Sequence, residues 1–176
     1  MGSEMLIDAR DQPGFAASNG AKWQLVTDQV MGGRSSGQLD ELLYRGRHAL
    51  RLSGTVSLEN DGGFVQMALD LKPGGAALDA SRFCGIAIEV AGNGERYGLH
   101  LRSTDVSRPW QSYRASFIAQ PEWTRLAVPF TEFAPHRIAT PLDTTRLRRI
   151  GLIAIGRAFQ AELYLARMMF ISEDKG

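Results

Sequence analysis

The stretch "HALRLSGTVSL" places Leu50, Leu52, Val56 and Leu58 on one side of an extended segment and Arg51, Ser53, Thr55 and Ser57 on the other. Successive side chains of a strand point to opposite faces, so such a segment belongs to a sheet with one face buried. "GFVQMALDL" repeats the pattern through Val65, Met67, Leu69 and Leu71, and "CGIAIEVA", "RYGLHLRS", "QSYRASFIA", "TRLAVPF", "RIGLIAIG" and "FQAELYLARMMF" extend it. Gly, Pro, Asn and Asp punctuate these runs, which predicts roughly nine or ten short strands. No long segment has apolar residues at a spacing of 3.6, and no strand–helix–strand rhythm is present. The expected class is all-β, a two-sheet jelly-roll sandwich. "DTTRLRRI" predicts one helical turn capped by Asp143 or Thr144. Asn93-Gly94 in "GNGE" predicts a tight hairpin, because both central residues accept positive φ.

No internal repeat or linker-like change of composition interrupts the chain, so one domain over residues 6–171 is expected. "MGSEM" reads as containing a cloning remnant and is set aside. Twenty Lys and Arg against nineteen Asp and Glu leave a formal charge of +1. That argues against a nucleic-acid footprint, which needs a basic surplus or stripe; "TRLRRI" is locally basic and reads as a solvated edge. No apolar run approaches the ~20 residues of a membrane span. No signal or transit peptide is apparent, so a cytoplasmic location is expected. The single cysteine, Cys84, excludes an internal disulfide. It is in phase with Ile86, Ile88 and Val90, which predicts a small buried hydrophobe.

Catalytic motifs are missing from this pattern. "GGRSSG" has no P-loop lysine, and "GNGERYG" lacks dinucleotide-loop spacing. His48, His100 and His136 are far apart in sequence, and neither HExxH nor CxxC occurs, so no metal and no cofactor are expected. A structural calcium held by loop acids and carbonyls would leave little sequence signature. Asp28 and Glu59 are the only carboxylate-pair candidates, and nothing in the sequence fixes their separation. Ser35 and Ser36 have no GxSxG elbow.

Two glycine-rich loops remain. In "DQVMGGRSSG", Gly32 and Gly33 permit a tight path, Asp28 or Ser35 is placed to hold backbone amides, and Met31 is expected to point inward. In "SLENDGGF", Gly62 and Gly63 suit a turn or a close backbone approach. Trp23, Tyr113, Phe117 and Trp123 are expected in the core; Trp110, in "SRPWQS", is the aromatic expected to be exposed. His100, Arg102 and Arg114 fall on the polar faces of adjacent strands. They form either a solvated face or a grip on an anion or a partner's carboxylate.

"WQLVTDQVMGGRSSG", "GTVSLENDGGFVQM", "YGLHLRS", "SYRASF", "EWTRLAVPFTEF" and "IGLIAIG", in this order, resemble the complex I intermediate-associated protein 30 family over roughly residues 6–171. The resemblance implies a galactose-binding-like jelly roll related to carbohydrate-binding modules. It also implies a non-enzymatic, chaperone-like assembly protein whose partners are complex I subunits or assembly intermediates. The alternative is a carbohydrate-binding module-like domain holding a saccharide in a concave cleft. "RAFQAELYLARMMF" departs from the family pattern by placing Arg157-Ala158 before Phe159. Positions in or beside the motifs suggest that Arg34, Glu59, Asn60 and Arg102 border one polar cleft, with Trp110 as a further contact.

Overall fold

A computed structural model describes residues 3–172. Two six-stranded antiparallel sheets face each other. The first contains β1 (Glu4–Asp8), β3 (Ser36–Tyr44), β4 (Arg47–Val56), β6 (Gly85–Gly92), β9 (Thr124–Pro129) and β12 (Phe159–Ile171), in the order β3-β4-β12-β6-β9. β12 is long enough to pair with β4 through Phe159–Leu165 and with β1 near its end, while β6 covers its other edge. The second sheet has the order β10-β8-β7-β11-β5-β2. Its strands are β2 (Gln24–Thr27), β5 (Phe64–Asp70), β7 (Arg96–Ser103), β8 (Ser112–Ile118), β10 (Ala134–His136) and β11 (Leu147–Ile155).

The alternation in the sequence produces the core between these sheets. Leu50, Leu52, Ile86, Ile88, Leu163 and Leu165 of one sheet meet Val65, Met67, Leu69, Leu99, Leu101 and Leu152 of the other, all fully buried. A register shift between Leu165 and Arg167 changes the phase of β12, so Met168 and Phe170 continue the inward row. Trp23, Tyr113 and Phe117 join this core as expected. Trp123 does not: it is partly buried on the outer face of the first sheet, edge-on to Tyr44 at 5.8 Å.

Several expectations need correction. Among the described residues there are twelve strands, because β1, β2 and β10 are too short to show a period. Glu4 and Met5, set aside with "MGSEM", begin β1; Met1 and Gly2 lie outside the described residues. Asn93-Gly94 makes a tight turn, with Gly94 at φ +82°, but not a hairpin. Both edges of β6 are occupied, by β12 and β9, so the turn carries the chain to the opposite sheet. Cys84 is exposed. It precedes β6, where Phe83 takes the inward position and breaks the phase. The helical turn forms as expected, a 3₁₀ turn over Thr144–Arg146 in which the Asp143 side chain accepts from the Thr145 amide.

Candidate functional site

The two glycine-rich loops are one structure. "DQVM" makes a 3₁₀ turn over Asp28–Met31 that ends at Gly32, in the left-handed region at φ +84°. This bend turns the Asp28 side chain inward, where it is fully buried. Its carboxylate accepts from the Ser35 amide at 3.0 Å, the Ser35 hydroxyl, the Gly63 amide and the Phe64 amide at 3.1 Å. Burial alone would raise the Asp28 pKa, but these hydrogen bonds outweigh it and hold the group below the ordinary carboxylate range. The glycines leave room for the carboxylate. A Cβ at Gly33 would overlap the Asp28 carboxyl, and one at Gly62 would come within 2.6 Å of its Oδ2. Ser35 extends the clasp, since its hydroxyl accepts from the Ser57 amide at 2.9 Å. The expectation that Asp28 or Ser35 satisfies loop amides therefore holds for both residues. The second loop is not a hairpin turn; it carries the chain from β4 in one sheet to β5 in the other.

This clasp closes one end of a cleft of about 540 Å³ over the outer face of the second sheet. That volume falls within the range of small-ligand sites. The floor is read directly from strand register. Gly151 on β11 sits between His100 on β7 and Ala68 on β5, and His100 pairs with Arg114 on β8. Missing Cβ atoms keep this face of the sheet open: one at Gly151, in the floor, would strike the Gln66 carboxamide, and one at Gly98, in a smaller recess on the far side of His100, would lie 2.9 Å from His100 Nε2. Val30, Met31 and Leu58 form an apolar lip at the clasp end and are 75%, 53% and 52% exposed. Met31 was expected to point inward, but the 3₁₀ turn commits the inward direction to Asp28. Leu58 leaves the β4 alternation because the strand ends at Val56.

At the other end the β7–β8 loop presents Trp110, 52% exposed. Arg102 fastens this loop by donating to the carbonyls of Pro109 at 3.2 Å and Gln111 at 3.1 Å. Arg102 and Trp110 thus both line the cleft, as expected, although Arg102 spends these donors on backbone. Arg34, Glu59 and Asn60 do not line it. All three are exposed on the clasp, and Asn60 donates to the Gly32 carbonyl at 3.3 Å. The four residues expected to border one polar cleft are divided because β5 runs from the clasp to Asp70, and Arg102 lies at the Asp70 end.

Arg102, Arg114 and Arg149 line the cleft, and among the described side chains no Asp or Glu does. Arg149 is drawn partly toward Gln24, at 3.0 Å, and Asp70, at 3.7 Å. Burial comes first in lowering the pKa of Arg102, followed by the Arg149 and Arg148 charges; for Arg114 it is burial and then Arg137. His100, 8% exposed, is pushed down to about 3 by burial, with smaller contributions from Arg114 and His136. Its ring is neutral at pH 7. The sign of the resulting pH dependence follows. The unfolded chain takes up a proton near pH 6.5 while the folded state does not, so stability is full above that pH and falls below it. His100→Gln is expected to lose about 2 kcal/mol less than the parent between pH 7 and pH 5. Urea midpoints at the two pH values measure this; equal losses would refute it. His136, whose pKa is also lowered, is present in both proteins and cancels.

Among the described residues no three His, Cys, Asp or Glu side chains gather as a metal site would require. Among the same residues no helix is long and apolar enough to cross a membrane. The fold is a jelly-roll β-sandwich, the architecture also found in carbohydrate-binding modules. Over 98% of both chains it is similar, at 14% identity and a TM-score of 0.72, to the family 11 module from Clostridium thermocellum in complex with a β-1,3-1,4-mixed-linked tetrasaccharide. A family 30 module of a cellulosomal cellulase of the same organism is 13% identical over 100% of this chain and 99% of its own, with a TM-score of 0.65. The sequence profile of the Complex I intermediate-associated protein 30 family matches residues 14–165, and the chain belongs to that family. Among curated proteins, none matches it in sequence.

The sequence concealed the apolar lip, since Val30, Met31 and Leu58 resemble ordinary core residues there. It also concealed Arg149, which had the look of a solvated edge. Gly151 and Gly98 gave the available signal: glycine in the middle of a strand marks a close approach.

Proposed function

We propose that the protein is a non-catalytic binding protein of the assembly-factor type, which holds a polypeptide client in the cleft over its second sheet. The observation that carries this reading is the lip: three large apolar side chains more than half exposed, facing Trp110 across the cleft. Exposed apolar surface of this kind is retained where a partner covers it. The family name points to intermediates of complex I as the client. A saccharide is the second reading, favoured by the half-exposed Trp110 and by a fold shared with carbohydrate-binding modules.

Affinity purification of the tagged protein from its own host separates them. Complex I subunits or assembly intermediates are expected to copurify and to fall by about tenfold with Met31→Asp/Leu58→Asp, equivalent to about 1.4 kcal/mol of binding. Absence of respiratory subunits under conditions that preserve weak complexes, together with retardation of the protein in a β-glucan gel, would replace the polypeptide reading with the saccharide one.

A further inference from the structure

We infer that the floor of the cleft is a carboxylate-binding site, and that its occupant is a polypeptide segment carrying Asp or Glu between large apolar residues. The inference rests on the reading of the cleft as the binding site and adds the chemistry of what enters it.

The first argument is charge. Three guanidiniums line the cleft, with no carboxylate in its walls among the described side chains. Clustered cations in a partly dry recess raise one another's cost, and an anion placed among them relieves it. Arg102 is committed to the Trp110 loop, and Arg149 has Gln24 and a distant Asp70. Arg114 is different. Its Nε donates to Ser112 Oγ at 2.8 Å, and its terminal nitrogens take part in no ion pair or hydrogen bond among the described residues. A planar guanidinium with both terminal groups uncommitted is suited to a bidentate carboxylate.

The second argument is His100, which pairs in register with Arg114. The residue is more than nine-tenths buried, and its ring nitrogens make no hydrogen bond among the described residues and keep their remaining accessible surface toward the cleft and the neighbouring recess. A ring held this firmly at a cleft wall, with its nitrogens uncommitted to the protein, is available to a ligand atom beside Arg114. The ring is neutral at pH 7 and can donate one N–H beside the Arg114 fork. A smaller neighbouring recess, bounded by Arg96, Arg157 and Glu132, shares His100 and Arg114 as its wall. Glu132 is exposed and makes no ion pair among the described residues, so it does not neutralise Arg114.

The third argument selects the carrier of the carboxylate. Val30, Met31, Leu58, Phe64, Ile153 and Ile155 surround the polar floor with apolar surface. Sugar hydroxyls require acceptors as well as donors, and the side-chain acceptors here are few: Gln66, Ser107, Ser112 and the unprotonated nitrogen of His100, against three guanidiniums that only donate. An acidic residue flanked by leucine-like side chains matches both zones.

Titration calorimetry at pH 7 with two blocked heptapeptides, alternating leucine with glutamate or with glutamine, tests this directly. The glutamate peptide is expected to bind the parent protein at least roughly tenfold tighter, and to weaken as salt is raised. It should also move the His100 ring-nitrogen resonances, while the glutamine peptide leaves them in place. Arg114→Gln should abolish the preference and Arg114→Lys should retain part of it. The parent's discrimination between the peptides needs no variant, so a misfolded substitution would not obscure the result. Equal affinity for both peptides, with each lost in Leu58→Asp, would overturn the carboxylate site while leaving the cleft as a polypeptide site. Binding of trigalacturonate without binding of the glutamate peptide would overturn the polypeptide assignment. Binding of neither would overturn the inference altogether, whatever the host purification returns.

Discussion

Asp28→Ala is expected to destabilise the protein by about 3–5 kcal/mol, because it strands several buried donors at once. The Ser35, Gly63 and Phe64 amides and the Ser35 hydroxyl all converge on this carboxylate, and two glycines exclude any side chain that could replace it. Water cannot readily take its place in a pocket with no exposure. Asp28→Asn should be damaging as well, since the new amide would direct hydrogens at groups that are themselves donors. Urea unfolding provides the measurement: the midpoint should fall sharply with the slope unchanged. A loss below about 1 kcal/mol would mean the clasp is held elsewhere. The folded-state pKa is depressed, so the contribution of Asp28 is present above its ordinary value near 3.8 and disappears as pH falls through the folded value. The same substitution should unseat Val30 and Met31 and weaken client binding even where the protein remains folded.

Arg10→Ala is expected to cost a comparable amount, about 3–5 kcal/mol, by leaving a buried carboxylate without its counter-charge. The Asp8 and Arg10 side chains are 0% and 1% exposed. Arg10 Nε donates to Asp8 Oδ2 at 2.8 Å, and its terminal nitrogens donate to the Gly14 and Ala16 carbonyls at 3.0 and 2.9 Å. The Trp23 indole N–H also donates to Asp8 Oδ2, at 2.8 Å. One ion pair therefore fixes the coil between β1 and β2 and seats a core tryptophan. The paired replacement Asp8→Asn/Arg10→Met should lose clearly less than Arg10→Ala alone, because neither charge is stranded. Thermal melts of the three proteins decide the point; a double variant as unstable as Arg10→Ala would show that backbone anchoring of the coil, not charge, dominates.

The architecture was legible because alternation at period two is a property of single residues. Val65, Met67 and Leu69 identify their strand with no knowledge of its neighbours. Pairing is different. Asn93-Gly94 gave a true tight turn, but whether that turn joins neighbours or opposite sheets depends on what occupies β6, and β12 lies more than sixty residues away in sequence. The clasp was half legible: glycines and an acid marked a shaped corner, while the meeting of Asp28 with Gly63 depends on two sheets closing. Exposed Arg34, Glu59 and Asn60 drew attention because their side chains are the polar ones in the motifs. Those motifs encode the clasp, and what they give to the cleft is its apolar lip, Val30, Met31 and Leu58, not their exposed polar side chains. The buried pair of Asp8 and Arg10 has no local pattern that announces it, since burial is collective.

The position of β12 also constrains how the fold is made. It lies between β4 and β6, which have no pairing with each other, so the first sheet has no centre until residues 159–171 are available. On a ribosome, everything before them emerges with two unsatisfied strand edges flanking a gap. The sandwich therefore closes only once β12 has emerged, and until then the facing edges of β4 and β6 are open to edge-to-edge association.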